Sequence, residues 1–267
     1  MNIQLICSDI DGTLLNKDRE LSIATIEQIK RLSHIPFILI SSRMPKAMTH
    51  LQDQLGIKNL ALIAYNGGLV LENETVVDST EISTSIIDKL HKTILNTELH
   101  FSLYHANEWY VPELDYWAKR EANNTKVDPE IQAIDVTIAN WKKEDKGAHK
   151  IMIMGDAKDI DRVVEIIKDQ FDSEIIGYRS KDTYLEIAPK SISKKTAIEV
   201  LLTSHYPKLA LENVVAFGDN YNDIEMLKAV GVGVAVSNAI DEVLAISNTI
   251  TDTNKNDGVA KFLRDFL

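Results

Sequence analysis

Asp9 and Asp11 stand one residue apart where an apolar run ends, in the stretch ICSDIDGTLL from Ile6 to Leu15, and Gly12 follows them. Residues two apart on a strand point to the same face, so alternation brings the two carboxylates together, where they repel. A hard divalent cation, which takes oxygen ligands, would relieve that repulsion. A solvated acidic loop is the plainer alternative. A similar arrangement recurs in VVAFGDNYND, Val214 to Asp223, where a strand-like run ends in Gly218-Asp219 and Asp223 follows in the next turn. Asp9, Asp11 and Asp219 at the mouths of strands invite magnesium, which keeps several waters and commonly binds substrate phosphate. Asn222 and Asp223 fall in the first turn of an expected helix, where they orient water, contact substrate or cap the helix.

A phosphate also needs donors and positive charge. Ser41-Ser42-Arg43 ends the run PFILI, and SISKKTAIEVLL begins at Ser191. Ser193 reads as the cap of a helix with Lys194 at its start, beside free backbone N–H groups and the positive end of the helix dipole. A lysine there opposes the dipole, which favours a functional reading of Lys194. Lys195 competes for the same role, and periodicity alone does not choose between them.

These residues sit at the ends of short apolar runs that share one polarity of ending. IQLIC ends at Ser8-Asp9, PFILI at Ser41, LALIA at Asn66-Gly67-Gly68, VVAF at Gly218-Asp219 and VGVAV at Ser237-Asn238. Helical patterns lie between several of them: Ser22 caps Ile23, Ile26, Ile29 and Leu32, and Pro45 precedes Met48, Leu51 and Leu55. Strands alternating with helices predict an α/β fold, a doubly wound parallel sheet whose ligand site lies beyond the carboxyl ends of its strands. From about Ile82 to Ile187 the pattern changes to hairpin-like alternation, with expected turns at Ala106-Asn107 and Ser180 to Asp182 and with all three tryptophans. The expected division is a core of residues 1–81 and 188–267 and an inserted α+β unit of residues 82–187, with LEIAP as the return crossing.

The 267 residues carry a formal net charge of −11, which repels polyanions and argues against nucleic acid or anionic membrane as a partner. Cys7 is the only cysteine, which excludes an internal disulfide and a cysteine-ligated zinc site and fits a reducing, cytoplasmic setting. The N-terminus runs directly into SDID, so no signal peptide is expected. No apolar run approaches the ~20 residues of a spanning helix.

The combination of DIDGTLL (Asp9 to Leu15), Ser41, Lys194 in SISKKTAI and GDNYND (Gly218 to Asp223) resembles the haloacid dehalogenase superfamily, in its Cof-type branch with a large α+β cap. NGG at Asn66 to Gly68, VAVSNA at Val234 to Ala239 and NDGVAKFL near the C-terminus add to the resemblance. Ser42 stands where glycine is usual before Arg43, and Lys195 where glycine often follows the lysine. The resemblance implies a magnesium-dependent phosphatase of small phosphate esters, with sugar phosphates favoured, working through an aspartyl phosphate. It implies Asp9 as nucleophile and Asp11 as acid and base. Asp9, Asp11 through its backbone carbonyl, Asp219 and Asp223 are the implied Mg2+ residues, and Ser41, Ser42, Lys194 and Asn222 the phosphate-binding ones. It further implies a cap that opens and closes, with Trp109, Tyr110, Trp117 and Tyr184 as pocket candidates or as cap core. His100, His105 and His149 lack metal-ligand spacing and read as ordinary strand residues. A monomer or weak homodimer is expected. A phosphomutase and a non-catalytic phosphometabolite sensor are the alternatives.

Overall fold

Leu5 to Asp9 are buried along the whole segment, which requires cover on both faces, the condition of a parallel sheet between helix layers. In the computed structural model, which describes residues 2–267 apart from the side chain of Ser180, this segment is strand β1 (Leu5–Asp9). It is followed by α1 (Ile23–Arg31), β2 (Phe37–Ile40), α2 (Thr49–Leu55), β3 (Leu62–Ala64), β4 (Leu69–Glu72) and β5 (Thr75–Ser79). Then come α3 (Thr84–Ile94), β6 (His100–His105), β7 (Glu108–Val111), α4 (Tyr116–Thr125), β8 (Glu130–Ile131), α5 (Ile134–Glu144), β9 (Lys150–Met154), α6 (Ala157–Gln170), β10 (Ile175–Lys181) and β11 (Tyr184–Pro189). The chain closes with α7 (Lys194–His205), β12 (Val214–Gly218), α8 (Ile224–Ala229), β13 (Val232–Val236), α9 (Asp241–Ile246), β14 (Thr249–Thr251) and α10 (Gly258–Phe266).

Contacts divide the chain into two units, one of residues up to Asp78 together with Ser193–Leu267, the other Ser79–Ile192. The sequence boundaries, 82–187, fall a few residues inside the second unit. LEIAP lies in β11, a strand of the second sheet, so the chain returns to the first unit beyond Pro189.

In the first unit the sheet order is β14-β13-β12-β1-β2-β3-β4-β5. The five apolar runs pair in parallel as expected. β14 extends the sheet in parallel and β4 antiparallel. The sequence reading missed β14 and β5, whose partly exposed side chains give no apolar run. Alternation sends Leu5, Cys7, Ile38 and Ile40 to the face covered by Ala197 and Leu201 of α7, Met226 of α8 and Val243 of α9. On the opposite face Phe217 meets Phe262 of α10 edge-on at 5.3 Å. Helices on both faces make the sheet doubly wound. Ser22 caps α1 by accepting from the Thr25 N–H at 3.1 Å. Pro45 opens a separate 3-10 turn, Pro45–Ala47, and α2 begins only at Thr49.

The second unit has a sheet of order β10-β11-β9-β6-β7-β8. One face buries Phe101, Leu103, Ile151, Ile153, Leu185 and Ile187 against Leu90 of α3, Ile138 of α5 and Val163 of α6. The first hairpin turns at Ala106-Asn107 as expected. The second turns at Asp182-Thr183, because Ser180 and Lys181 still belong to β10. The aromatics pack within the unit: Trp109 stacks on Tyr104 at 5.5 Å, Tyr110 meets Trp141 edge-on at 5.8 Å, and Trp117 meets Tyr184 edge-on at 5.4 Å. Among the described residues, no helix is long and apolar enough to cross a membrane.

Candidate active site

The alternation of β1 points Asp9 to the same face as Leu5 and Cys7, which α7 covers. Ser193 caps α7: its Oγ accepts from the Thr196 N–H at 3.2 Å, and Thr196 Oγ1 accepts from the Ser193 N–H at 2.9 Å. This reciprocal cap fixes the first residue of the helix, Lys194, with its side chain inward and 0% exposed. Its Nζ donates to Asp9 Oδ1 at 2.5 Å and to Asp223 Oδ1 at 2.6 Å. Lys195, about 100° further round the helix, lies at the surface and pairs with Glu199 at 3.1 Å. Lys194 is therefore the lysine that enters the site.

Asp223 Oδ2 accepts from the backbone N–H groups of Asp219 at 2.9 Å and Asn220 at 3.0 Å. Its carboxylate thus caps the turn after β12 and pairs with Lys194, so the capping reading is realised and a metal would share oxygens already engaged. The site oxygens of Asp9, Asp219 and Asp223 lie within 4.8 Å of one another.

Asp11 departs from the strand-alternation expectation. β1 ends at Asp9, and Asp11 lies in the turn beyond it, with its carboxylate held by Arg43 through Nη2 to Oδ1 at 2.6 Å and Nε to Oδ2 at 2.7 Å. The two acids are therefore partly neutralised by different cations of the chain itself. Gly12 makes this turn possible: its φ is +87°, and a Cβ there would come within 2.3 Å of Asp219 Oδ2. Thr13 Oγ1 donates to Asp219 Oδ1 at 2.9 Å. Asn238 Nδ2 donates to the Gly12 carbonyl at 2.8 Å and Asn254 Nδ2 to the Leu15 carbonyl at 2.7 Å, so two distant asparagines hold the loop. Arg43, Asn238 and Asn254 had no assigned role in the sequence reading. Asn238 stood at the polar end of VGVAV and in VAVSNA, whereas Asn254 lies just ahead of NDGVAKFL and was not singled out.

Ser41 at the end of β2 is buried, and its Oγ accepts from the Arg43 N–H at 3.2 Å; Ser42 is half-buried. Asn222 Nδ2 donates to Asn66 Oδ1 at 3.0 Å.

Burial, with the charges of Asp223 and Asp219, pushes the Asp9 carboxyl well up against the pull of Lys194. Burial and Asp223 push Asp219 up to about 6. Burial would lower Lys194, but the Asp223 and Asp9 carboxylates outweigh it and hold the ammonium charged. Asp9 Oδ2 is buried without a hydrogen-bond partner. A site with surplus carboxylate charge and an unsatisfied buried oxygen fits a hard divalent cation.

In the second unit, ligand atoms of Glu81, His105 and His149 also lie within 4.8 Å of one another. His149 Nδ1 accepts from the Ala106 N–H at 3.1 Å, so the neutral ring carries its proton on Nε2, 3.0 Å from Ser79 Oγ. His105 Nδ1 donates to the Gly147 carbonyl at 3.0 Å. Burial, with His105 beside it, lowers His149 to about 3. The cluster is a hydrogen-bonded clasp, and the His149 nitrogen facing Glu81 carries a proton rather than a lone pair for a metal.

A family model of haloacid dehalogenase-like hydrolases matches residues 6–263. The chain belongs to that family. This haloacid dehalogenase-like hydrolase is 33% identical over 270 residues to a Haemophilus influenzae protein provisionally named a phosphatase, covering 99% of this chain and 98% of that one. It is 26% identical over 269 residues to a 5-amino-6-(5-phospho-D-ribitylamino)uracil phosphatase of Bacillus subtilis, covering 98% and 97%. A crystal structure of a haloacid dehalogenase-like hydrolase from Bacteroides thetaiotaomicron superposes with a TM-score of 0.90 at 27% identity, over 99% of this chain and all of that one.

Proposed function

We propose that this haloacid dehalogenase-like hydrolase is a magnesium-dependent phosphatase of small phosphate esters, with phosphorylated sugars and polyols as the substrate class. One observation carries the reading: Lys194 is fully buried between Asp9 and Asp223, while the second oxygen of Asp9 is buried and unpartnered. Asp9 supplies the nucleophilic carboxylate oxygen. It attacks phosphorus in line, and the bond to the leaving oxygen breaks with its electron pair going to that oxygen, which takes a proton from Asp11. Asp11, now a carboxylate, takes a proton from water, whose oxygen attacks the phosphoryl group and releases Asp9. The Arg43 guanidinium holds the Asp11 carboxylate at two points and so fixes where it faces the leaving oxygen and the water.

A divalent cation held by Asp9, Asp219 and the Asp11 carbonyl would keep Asp9 ionised and offset charge on the phosphoryl oxygens. Ser41, Ser42, Lys194 and Asn222 bind those oxygens, and the charge they meet spreads as the transferring group loosens. The B. subtilis relative's name contains a phosphorylated polyol chain, which supports the substrate class.

The test is release of inorganic phosphate from a panel of sugar, polyol and cofactor phosphates, by metal-stripped protein with and without Mg2+, for wild type and Asp9→Asn. Turnover that needs the metal and is lost in the variant is expected. Turnover that survives Asp9→Asn, or movement of phosphate between positions without its release, overturns the reading.

A further inference from the structure

Tyr65, Asn66 and Gly67 form an unusual turn after β3. Their φ values are +55°, +56° and +109°, so two non-glycine residues adopt the left-handed conformation in succession. Tyr65 is 1% and Asn66 6% exposed, so this is no loose surface loop. Left-handed backbone is unfavourable for a bulky residue such as tyrosine and persists only where its surroundings enforce it.

The surroundings are the segments that carry the candidate site. The Asn66 N–H donates to the Ser41 carbonyl at 2.8 Å, and the Tyr65 N–H to the Arg43 carbonyl at 3.1 Å, tying the turn to the end of β2. Gly67 packs against the cap of α7: a Cβ there would lie 2.5 Å from the Ser193 carbonyl oxygen. The Asn66 side chain reaches the third segment, with Oδ1 accepting from Asn222 Nδ2 at 3.0 Å. One strained turn therefore contacts the Ser41 strand end, the cap below Lys194 and the Asn222 amide. A primary amide with one N–H committed in this way has its plane fixed, and its other N–H points in a set direction.

We infer that Asn66 is a positioning residue: its side-chain oxygen fixes the Asn222 amide so that the remaining N–H faces the bound phosphate. The left-handed turn anchors Asn66 to the two other phosphate-binding segments. This inference rests on the phosphatase reading and adds a residue to it.

Asn66→Gly separates the side chain from the backbone, because glycine adopts positive φ without strain and keeps the turn while deleting the carboxamide, the acceptor for Asn222 included. The measurements are kcat and KM for phosphate release, the binding constant for inorganic phosphate by calorimetry in the presence of Mg2+, and the melting temperature. They are made for wild type, Asn66→Gly, Asn222→Ala and the double variant. Asn66→Gly should still melt cooperatively above the assay temperature and bind phosphate about tenfold more weakly, as expected for a misdirected hydrogen bond to a charged group. In the Asn222→Ala background the same change should alter phosphate binding less than about twofold, because the group it positions is gone.

Phosphate binding unchanged by Asn66→Gly, or fully additive effects in the double variant, would overturn the inference while leaving the phosphatase reading intact. Wild type that binds phosphate without hydrolysing esters would overturn the phosphatase reading alone, and the same binding measurements would still decide the role of Asn66. Wild type that neither binds phosphate nor turns over an ester would overturn both.

Discussion

Replacing Lys194 by methionine should cost both stability and activity. Methionine keeps the unbranched apolar stem but deletes the charge and the bonds to Asp9 at 2.5 Å and Asp223 at 2.6 Å. The lysine side chain is 0% exposed, so no water replaces those bonds. Breaking a buried ion pair by removing one partner costs about 3–5 kcal/mol. Proton uptake by one of the two stranded carboxylates limits the loss, which puts the effect near ~3 kcal/mol. At about 2–4 °C per kcal/mol for a chain of this size, the melting temperature should fall by roughly 6–12 °C. The melt should be followed by far-ultraviolet circular dichroism in metal-free buffer, because Trp109, Trp117 and Trp141 all lie in the second unit and their fluorescence reports on that unit. Adding Asp223→Asn should recover part of the loss, since one stranded charge is then neutral. Phosphate release should fall at least about a hundredfold, the usual effect of deleting one group that stabilises developing charge. Lys195→Met, which removes only an exposed pair with Glu199, should leave the melting temperature within about 2 °C of wild type. A Lys194→Met protein that melts and turns over like wild type would refute the account of the buried lysine.

Two further outcomes follow from other contacts. Arg43→Ala frees the Asp11 carboxylate from its two-point hold and should lower kcat more than it raises KM, with partial recovery by added guanidinium ion; an unchanged kcat would remove Arg43 from the account. His149 has its pKa depressed to about 3 by burial, so the stability it contributes is present above its ordinary value near 6.5 and lost as pH falls toward 3. Over that window wild type should lose up to about 1.4 kcal/mol per pH unit more than His149→Gln by tryptophan fluorescence, and parallel pH curves for the two proteins would contradict the assignment.

The strands that carry the site were legible because a sheet covered on both faces demands continuous apolar runs, and each run ends in the polar residue it delivers. Asp9, Ser41 and Asp219 could be found in that way. Lys194 was legible as a helix-start lysine opposed to the dipole, but its choice over Lys195 depends on which side of α7 faces the sheet. Arg43 was quoted in the sequence without a role, because its partner Asp11 lies in another segment and no periodicity links them. Asn238 was legible as the polar end of VGVAV but not its partner, and Asn254 was not singled out, because their bonds reach the Gly12 and Leu15 carbonyls near the other end of the chain. The strand rule misled at Asp11, since the chain turns at Gly12 before alternation can apply. β5 and β14 were missed because edge strands with partly exposed side chains lack the apolar signal.

The central claim is that the phosphoryl group passes through Asp9, and an Asp11→Asn variant tests it most directly. With p-nitrophenyl phosphate the leaving group departs without a proton, so Asp9 can be phosphorylated, while hydrolysis of the adduct lacks its base. The measurement is the mass of the Asp9 peptide after acid quench of this variant in the presence of Mg2+. The account predicts a gain of one phosphoryl group on Asp9, absent from Asp9→Asn/Asp11→Asn. Release of p-nitrophenol with no phosphoryl group on that peptide would contradict it.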